Sequence, residues 1–360
     1  MEEQERVLRE LVLPLLQWYQ ENRRDLPWRR DKNPYHIWVS EVMLQQTRVA
    51  AVVGYFARFM EALPTVADLA DAPEDELLKL WQGLGYYARA RNLQKAAREI
   101  VERYGGGLPA DYDALRALPG FGDYTAGAVA SIAFGLSVPA VDGNVLRVLA
   151  RLLGDERDIG QSATKAAMRE LLLRVIPREA PGEFNQALME LGAIVCLPNG
   201  APLCDRCPLR TSCAALREGR IGELPVKGAK KERRVEQRTV YLIFSGDRVA
   251  LRRRPERGLL ARLWEYPNAL TGDPDPLPGW GVEKVSQTNA CKGKHIFTHI
   301  EWRMQAVAVE VSDRTQLPEG WVWARAWELE RIYALPNAFR FVRDDVERRL
   351  LSGGGVLHDL

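Results

Sequence analysis

Along residues 5 to about 216 apolar positions recur every three or four residues, in stretches such as HIWVSEVMLQQTRVAAVVGYFARFMEAL and NQALMELGAIVC, with glycine or proline at the breaks. That period predicts an all-α half. Further on it changes: RTVYLIFSGDRVALRRR reads as strand, a Gly246-Asp247 turn and strand, and HIFTHIEWRMQAVAVEVSD as a second long β-rich run. A closing helix is expected over AFRFVRDDVERRLL. Between the halves, REGRIGELPVKGAKKERRVE holds seven Lys or Arg against four Glu and no apolar cluster. It is expected to be an exposed basic linker. The expected division is therefore a helical domain over 1–216, a linker over 217–236 and a mixed strand-and-helix unit over 237–360, with no internal repeat.

Composition agrees with two domains. The chain has 360 residues, 46% apolar and 27% charged, in the range of soluble globular proteins. A net charge of +2 neither demands nor excludes a polyanionic partner, because a basic face can be balanced elsewhere. The start MEEQERVLRE lacks the basic-then-apolar order of a secretory signal, and LVLPLLQW is broken by Pro14. No membrane partner is expected, and the cytoplasm is the expected location.

Four of the five cysteines fall in CLPNGAPLCDRCPLRTSC: Cys196, Cys204, Cys207 and Cys213, separated by seven, two and five residues. Disulfides do not suit a reducing compartment, and four thiolates in one loop repel unless a cation holds them. Zinc prefers two short cysteine pairs, whereas one loop with a long arm suits a single [4Fe-4S] cluster, which is the preferred expectation. Arg206 and Arg210 in the same loop are candidates for facing phosphate.

The stretch LPGFGDYTAG sits between two short helical patterns, Asp111 to Leu118 and Tyr124 to Phe134. A turn of Pro119-Gly120-Phe121-Gly122 there is a candidate helix-hairpin-helix motif. Its glycines let backbone amides approach another backbone, and the second helix adds the positive end of its dipole, a natural phosphate site. Eighteen residues after Tyr124 comes Asp142 in AVDGNVLRVLARLL, most simply a helix N-cap.

LPGFGDYTAG, then VDGNV, then the four cysteines, together resemble the endonuclease III superfamily of base-excision DNA glycosylases over nearly all of residues 1–216. Within it, EVMLQQT, LPWRR and GLGYYARARNL, with a β-rich C-terminal domain, resemble the adenine DNA glycosylase (MutY) family. The resemblance implies an all-α helix-hairpin-helix glycosylase fold with an iron-sulfur loop, followed by an α+β MutT-like (Nudix-fold) domain. It also implies an enzyme of base excision repair acting, as a monomer, on double-stranded DNA that carries an 8-oxoguanine·adenine mispair. Members that cut the strand carry a lysine where this chain has Tyr124, and a phenol cannot form the Schiff base of that reaction. The expected activity is therefore monofunctional, leaving an abasic site, with Tyr124 lining the pocket.

Excision needs a proton for the leaving base and a negative charge near the sugar cation, and two carboxylates can supply both. Glu41 lies in the apolar stretch IWVSEVML, where burial raises a carboxyl's pKa, and the resemblance implies that it protonates the adenine. Asp142, at a helix start, is expected to stay ionised and either stabilise the cation or attack it. The resemblance further implies that Gln46 and Tyr86 wedge into the base stack and that Trp28, Arg29, Gln186 and Asn144 line the adenine pocket.

In the second domain, GLLARLWEYPNAL resembles part of a Nudix fold, but the acidic run that binds metal in Nudix pyrophosphatases does not follow it, so recognition without hydrolysis is expected. The family reads 8-oxoguanine with a Phe-Ser-His loop. This chain has Phe297-Thr298-His299. It also leaves seven residues between the first two cysteines, where the family more often leaves six. The rival readings are an oxidised-pyrimidine glycosylase with lyase activity and a non-catalytic, cluster-bearing DNA-binding protein.

Overall fold

The computed structural model describes residues 2–229 and 232–353, and their contacts divide the chain into two units: residues up to 71 with 91–229, and 72–90 with 230 onwards. In the first unit, the helix Glu2–Asn22 turns Leu8, Leu11, Leu15 and Tyr19 to one side. They join Val145 and Leu149 of the helix Gly143–Leu153, Met168 and Leu172 of Ser162–Val175, and Leu188 and Leu191 of Pro181–Ile194 in one core. Two further helices, Pro34–Leu44 and Asp123–Phe134, are apolar nearly all round and pack on each other, with Pro181–Ile194 against the second. Burial on every side places their few polar residues in a low-dielectric interior.

The glycine-rich turn joins the helix Tyr112–Ala117 to Asp123–Phe134. Asp111 caps the first, accepting from Ala114 N at 2.7 Å. Gly120 has φ +79°, and a Cβ there would stand 2.8 Å from Asn92 Cβ, so both backbone and space require glycine. Phe121 is buried and stacks on Trp38 at 5.2 Å, pinning the turn to the helix that carries Glu41.

The second unit is built on a seven-stranded sheet: β1 (Arg234–Ser245), β2 (Arg248–Arg253), β3 (Trp264–Glu265), β4 (Asn268–Leu270), β5 (Lys284–Ile296), β6 (Ile300–Val311) and β7 (Trp321–Ala324). The order is β3-β2-β1-β6-β5, with β4 also on β1 and β7 also on β2. β1 and β6 run parallel, from Arg234 opposite Ile300 to Phe244 opposite Glu310, and the other pairs are antiparallel. Val240, Leu242 and Phe244 face a core closed by Phe339, Val342, Val346 and Leu350, while Tyr241 and Ile243 face Leu277 and Val282. Both faces are covered, which is why TVYLIF is continuously apolar rather than alternating.

The boundaries differ from those expected. Residues 72–90 group with the second unit: Lys79 Nζ donates to Leu329 O (2.9 Å) and Tyr333 O (3.2 Å), Gln82 Nε2 to Leu335 O (3.0 Å), and Asn337 Nδ2 to Gly83 O (3.1 Å). The linker is mostly exposed, as its composition suggests, but it is tied down at a few points. Leu224 is 1% exposed, its carbonyl accepts from Arg151 Nε at 2.8 Å, and Val226 O accepts from Ile159 N at 3.1 Å. Single apolar residues among charges anchor this segment, and a composition average hides them. Lys230 and Lys231 of that segment, like residues 354–360, lie outside the described residues. Among the described residues no helix is long and apolar enough to cross a membrane.

Candidate active site

Glu41 lies on the inward side of Pro34–Leu44 and is 6% exposed. Burial pushes its carboxyl up to about 7, with the nearby Asp142 adding to the rise, while the Tyr124 hydroxyl and Arg29 pull the other way. Tyr124, in the first turn of Asp123–Phe134, donates its hydroxyl to Glu41 Oε2. Burial, then the Glu41 and Asp142 charges, raise the phenol well above its ordinary range, so it remains a donor. Met189 Sδ, on Pro181–Ile194, lies 3.3 Å from the same hydroxyl.

Asp142 is the N-cap of Gly143–Leu153, as its position in the sequence suggests. It accepts from Asn144 N (2.9 Å) and Val145 N (2.8 Å) on one oxygen and from Asn144 Nδ2 (2.7 Å) on the other. The amide donors favour its charged form, yet burial is the larger influence and raises its pKa against the Val145 and Asn144 donors. Capping arguments assume a solvated helix end, and this one is desolvated. The lead-in to Asp142 is fixed by the fully buried Asn185, which accepts from Ala140 N at 3.0 Å and donates to Val138 O at 2.9 Å.

Asn144 works beside Asp142 rather than alone. Its Oδ1 accepts from Arg147 Nη2 at 2.8 Å, and Arg147 also donates to Gly192 O and Cys196 O, each at 2.8 Å. Gly192 makes this possible, since a Cβ on it would stand 2.5 Å from Asn144 Cβ. Arg147, Arg151 and Asn185 were not singled out from the sequence. Polar residues inside otherwise apolar helical stretches are the signal that would have found them.

Arg29 lies close enough to Glu41 for its charge to act on that carboxyl. Its guanidinium is held by Glu190 Oε2 at 2.8 Å, with Arg24 at 2.7 Å on the other oxygen. Glu190, 1% exposed, is held down to about 2: hydrogen bonds and charge from the two arginines outweigh the burial that opposes them. This buried carboxylate was also missed. Trp28 is a core residue, 4% exposed and edge-on to Phe56 at 5.4 Å. Gln186 bonds back to Gly182 O of its own helix at 3.3 Å. Gln46 is exposed at φ +59°, just beyond the end of the Glu41 helix, and Gly122 is the N-cap of Asp123–Phe134 with open space where a Cβ would be.

In the second unit, Tyr86 is half exposed at φ +46°, and its hydroxyl lies 3.2 Å from Thr298 Oγ1. Phe297-Thr298-His299 forms the turn between β5 and β6, closed by Phe297 N donating to Ile300 O at 2.8 Å. It is not regular strand. Phe297 is anchored edge-on to Trp302 at 5.0 Å, which leaves Thr298 and His299 exposed.

The four clustered cysteines line one cavity whose other walls include Val148, Leu152, Leu191, Val195 and Leu216. Arg151 Nη1 lies 3.3 Å from Cys196 Sγ. Burial raises the Cys204 and Cys213 thiols and pushes Cys207 up to about 12, so thiolates here require a bound cation. An all-sulfur donor set, apolar walls and a guanidinium facing one sulfur fit an anionic iron-sulfur cluster.

The family model "HhH-GPD superfamily base excision DNA repair protein" matches residues 39–174, and a NUDIX domain model matches 239–344. The adenine DNA glycosylase of Mus musculus is 35% identical over 385 residues, spanning 87% of this chain and 73% of that protein. Among solved structures, a thermostable thymine-DNA glycosylase aligns with TM-score 0.54 and 30% identity over 59% of this chain and 98% of that one. A trapped endonuclease III–DNA covalent intermediate aligns with TM-score 0.51 and 27% identity over 60% and 98%. The expected pairing of a helix-hairpin-helix glycosylase fold with a Nudix-type unit is borne out.

Proposed function

The chain belongs to the adenine DNA glycosylase family of base excision repair, and from that premise we propose that it acts as a monomer on duplex DNA, removing adenine opposite 8-oxoguanine, and opposite guanine, without cutting the strand. The observation that carries this reading is the pair of carboxyls at the end of the apolar core. Glu41, near 7, is about half protonated at neutral pH, and because Tyr124 occupies Oε2 the acidic proton is left on Oε1. That is the state a general acid needs to protonate a departing purine. Asp142, held by three N–H groups, supplies fixed negative charge for the oxocarbenium-like sugar. Tyr124 keeps its proton and offers no amine, which supports base release without Schiff-base chemistry.

The turn around Gly120 and Gly122 would seat a phosphate, Gln46 and Tyr86 would fill the stack once the adenine is flipped, and the exposed Thr298 and His299 would meet the opposing 8-oxoguanine. A [4Fe-4S] cluster on Cys196, Cys204, Cys207 and Cys213 would act as a structural cross-link of the loop to the helix Gly143–Leu153.

The test is single-turnover base release from duplexes carrying adenine opposite 8-oxoguanine, adenine opposite thymine, or thymine glycol, read with and without alkali. Release confined to the mispair, with breaks only after alkali, is expected, and Glu41→Gln should abolish it. Breaks without alkali, or activity on thymine glycol, would overturn the reading.

A further inference from the structure

Tyr124 has one hydroxyl proton and two acceptors within reach, Glu41 Oε2 and Met189 Sδ. The thioether is the weaker acceptor, so as the protein stands the proton goes to the carboxyl. Met189 is also less buried than most of the other described methionines. Met43, Met168 and Met304 are at most 4% exposed, whereas Met60 and Met189 are partly accessible.

We propose that Met189 is an oxidation site whose conversion to the sulfoxide draws Tyr124 away from Glu41 and slows base excision. The proposal rests on the reading of Glu41 as the general acid. In the step itself the sulfur lone pair attacks one oxygen of a peroxide and the O–O bond breaks. The departing hydroxide takes the proton of the transferred oxygen, so one peroxide becomes one water and the sulfur loses two electrons. The product oxygen is a strong acceptor on an atom now only 3.3 Å from the phenol oxygen. Placed on the side facing Tyr124 it falls well inside that separation, and the ring must shift. Either the displacement or the competing hydrogen bond removes the donor that fixes which oxygen of Glu41 carries the proton.

The test treats the full holoprotein with hydrogen peroxide, quenches with catalase, quantifies sulfoxide at each methionine by peptide mass spectrometry and measures single-turnover adenine release. Met189→Leu, Met189→Ile and Met60→Leu are treated in parallel, each compared with its own untreated rate. Wild type and Met60→Leu should lose about tenfold in proportion to Met189 sulfoxide and regain it with methionine sulfoxide reductases A and B, while the Met189 variants hold their rates. Equal losses in the Met189 variants, or no sulfoxide at Met189 under doses that modify Met60, would overturn the proposal. A wild type that never releases adenine would instead refute the functional reading. The switch is then judged by the pH dependence of stability, in which the decline caused by Glu41 ionisation should extend to higher pH after oxidation. An unchanged decline refutes it.

Discussion

Glu41 is expected to cost the protein stability at the pH where it works. Its carboxyl titrates near 7 in the folded chain against an ordinary value of 4.5. Below about 4.5 both states hold the proton and no cost exists. Between the two values the unfolded chain ionises while the folded one does not, so stability falls by about 1.4 kcal/mol per pH unit. Above 7 the cost is constant, about 3 kcal/mol for the difference between the two values. Glu41→Gln removes the titration yet keeps an oxygen for Tyr124. The variant should therefore gain on wild type as pH rises from 5 to 8, by about 3 kcal/mol overall, while losing excision at every pH. Urea unfolding followed by far-ultraviolet circular dichroism, which reports mainly the helical unit, measures the difference. A wild-type-to-variant gap that stays flat from pH 5 to 8 would refute the idea that burial holds this carboxyl protonated. Because the Asp142 charge contributes to the rise, the same gap measured in an Asp142→Asn background should be smaller.

Removing the Tyr124 hydroxyl by Tyr124→Phe takes away a donor that lowers the Glu41 pKa, so the fall of the single-turnover rate at alkaline pH should move up by about one unit, with a lower maximum. Gly120→Ala forces a Cβ into a left-handed backbone 2.8 Å from Asn92 and should lower stability by about 1–3 kcal/mol, seen as a drop in Tm, with weaker binding to any duplex. Glu190→Gln leaves Arg24 and Arg29 without their carboxylate and should destabilise the helical unit by about 3–5 kcal/mol. Because Glu190 titrates near 2, that penalty is full above its ordinary value of 4.5 and shrinks as pH falls toward 2, which acid titration of the variant's unfolding should show.

Much of this was visible in the sequence because it rests on local pattern. The helical period, the Gly246-Asp247 hairpin, the capping role of Asp142 and the glycine turn each depend on residues close together in the chain. Glu41 announced itself as a charge inside IWVSEVML, and the structure raises its pKa for the reason burial gives. What stayed hidden depends on distant partners. Glu190 looks like any helix glutamate until Arg24 and Arg29, some 160 residues earlier, are seen to close on it. The desolvation of Asp142 was missed because capping is local and burial is not. Residues 72–90 read as one more helix of the first half, yet Lys79 and Gln82 find their acceptors about 250 residues downstream.

Gly192 has no side chain to do chemistry, but any atom added to it would collide with Asn144, the residue that braces Asp142. A survey of tolerated substitutions is then expected to rank this glycine beside the two carboxyls, although it carries no side chain to act on a substrate. Loss of function on replacement marks the residues a reaction depends on, and here that set includes one that offers a backbone carbonyl to Arg147 and otherwise serves by taking up no room.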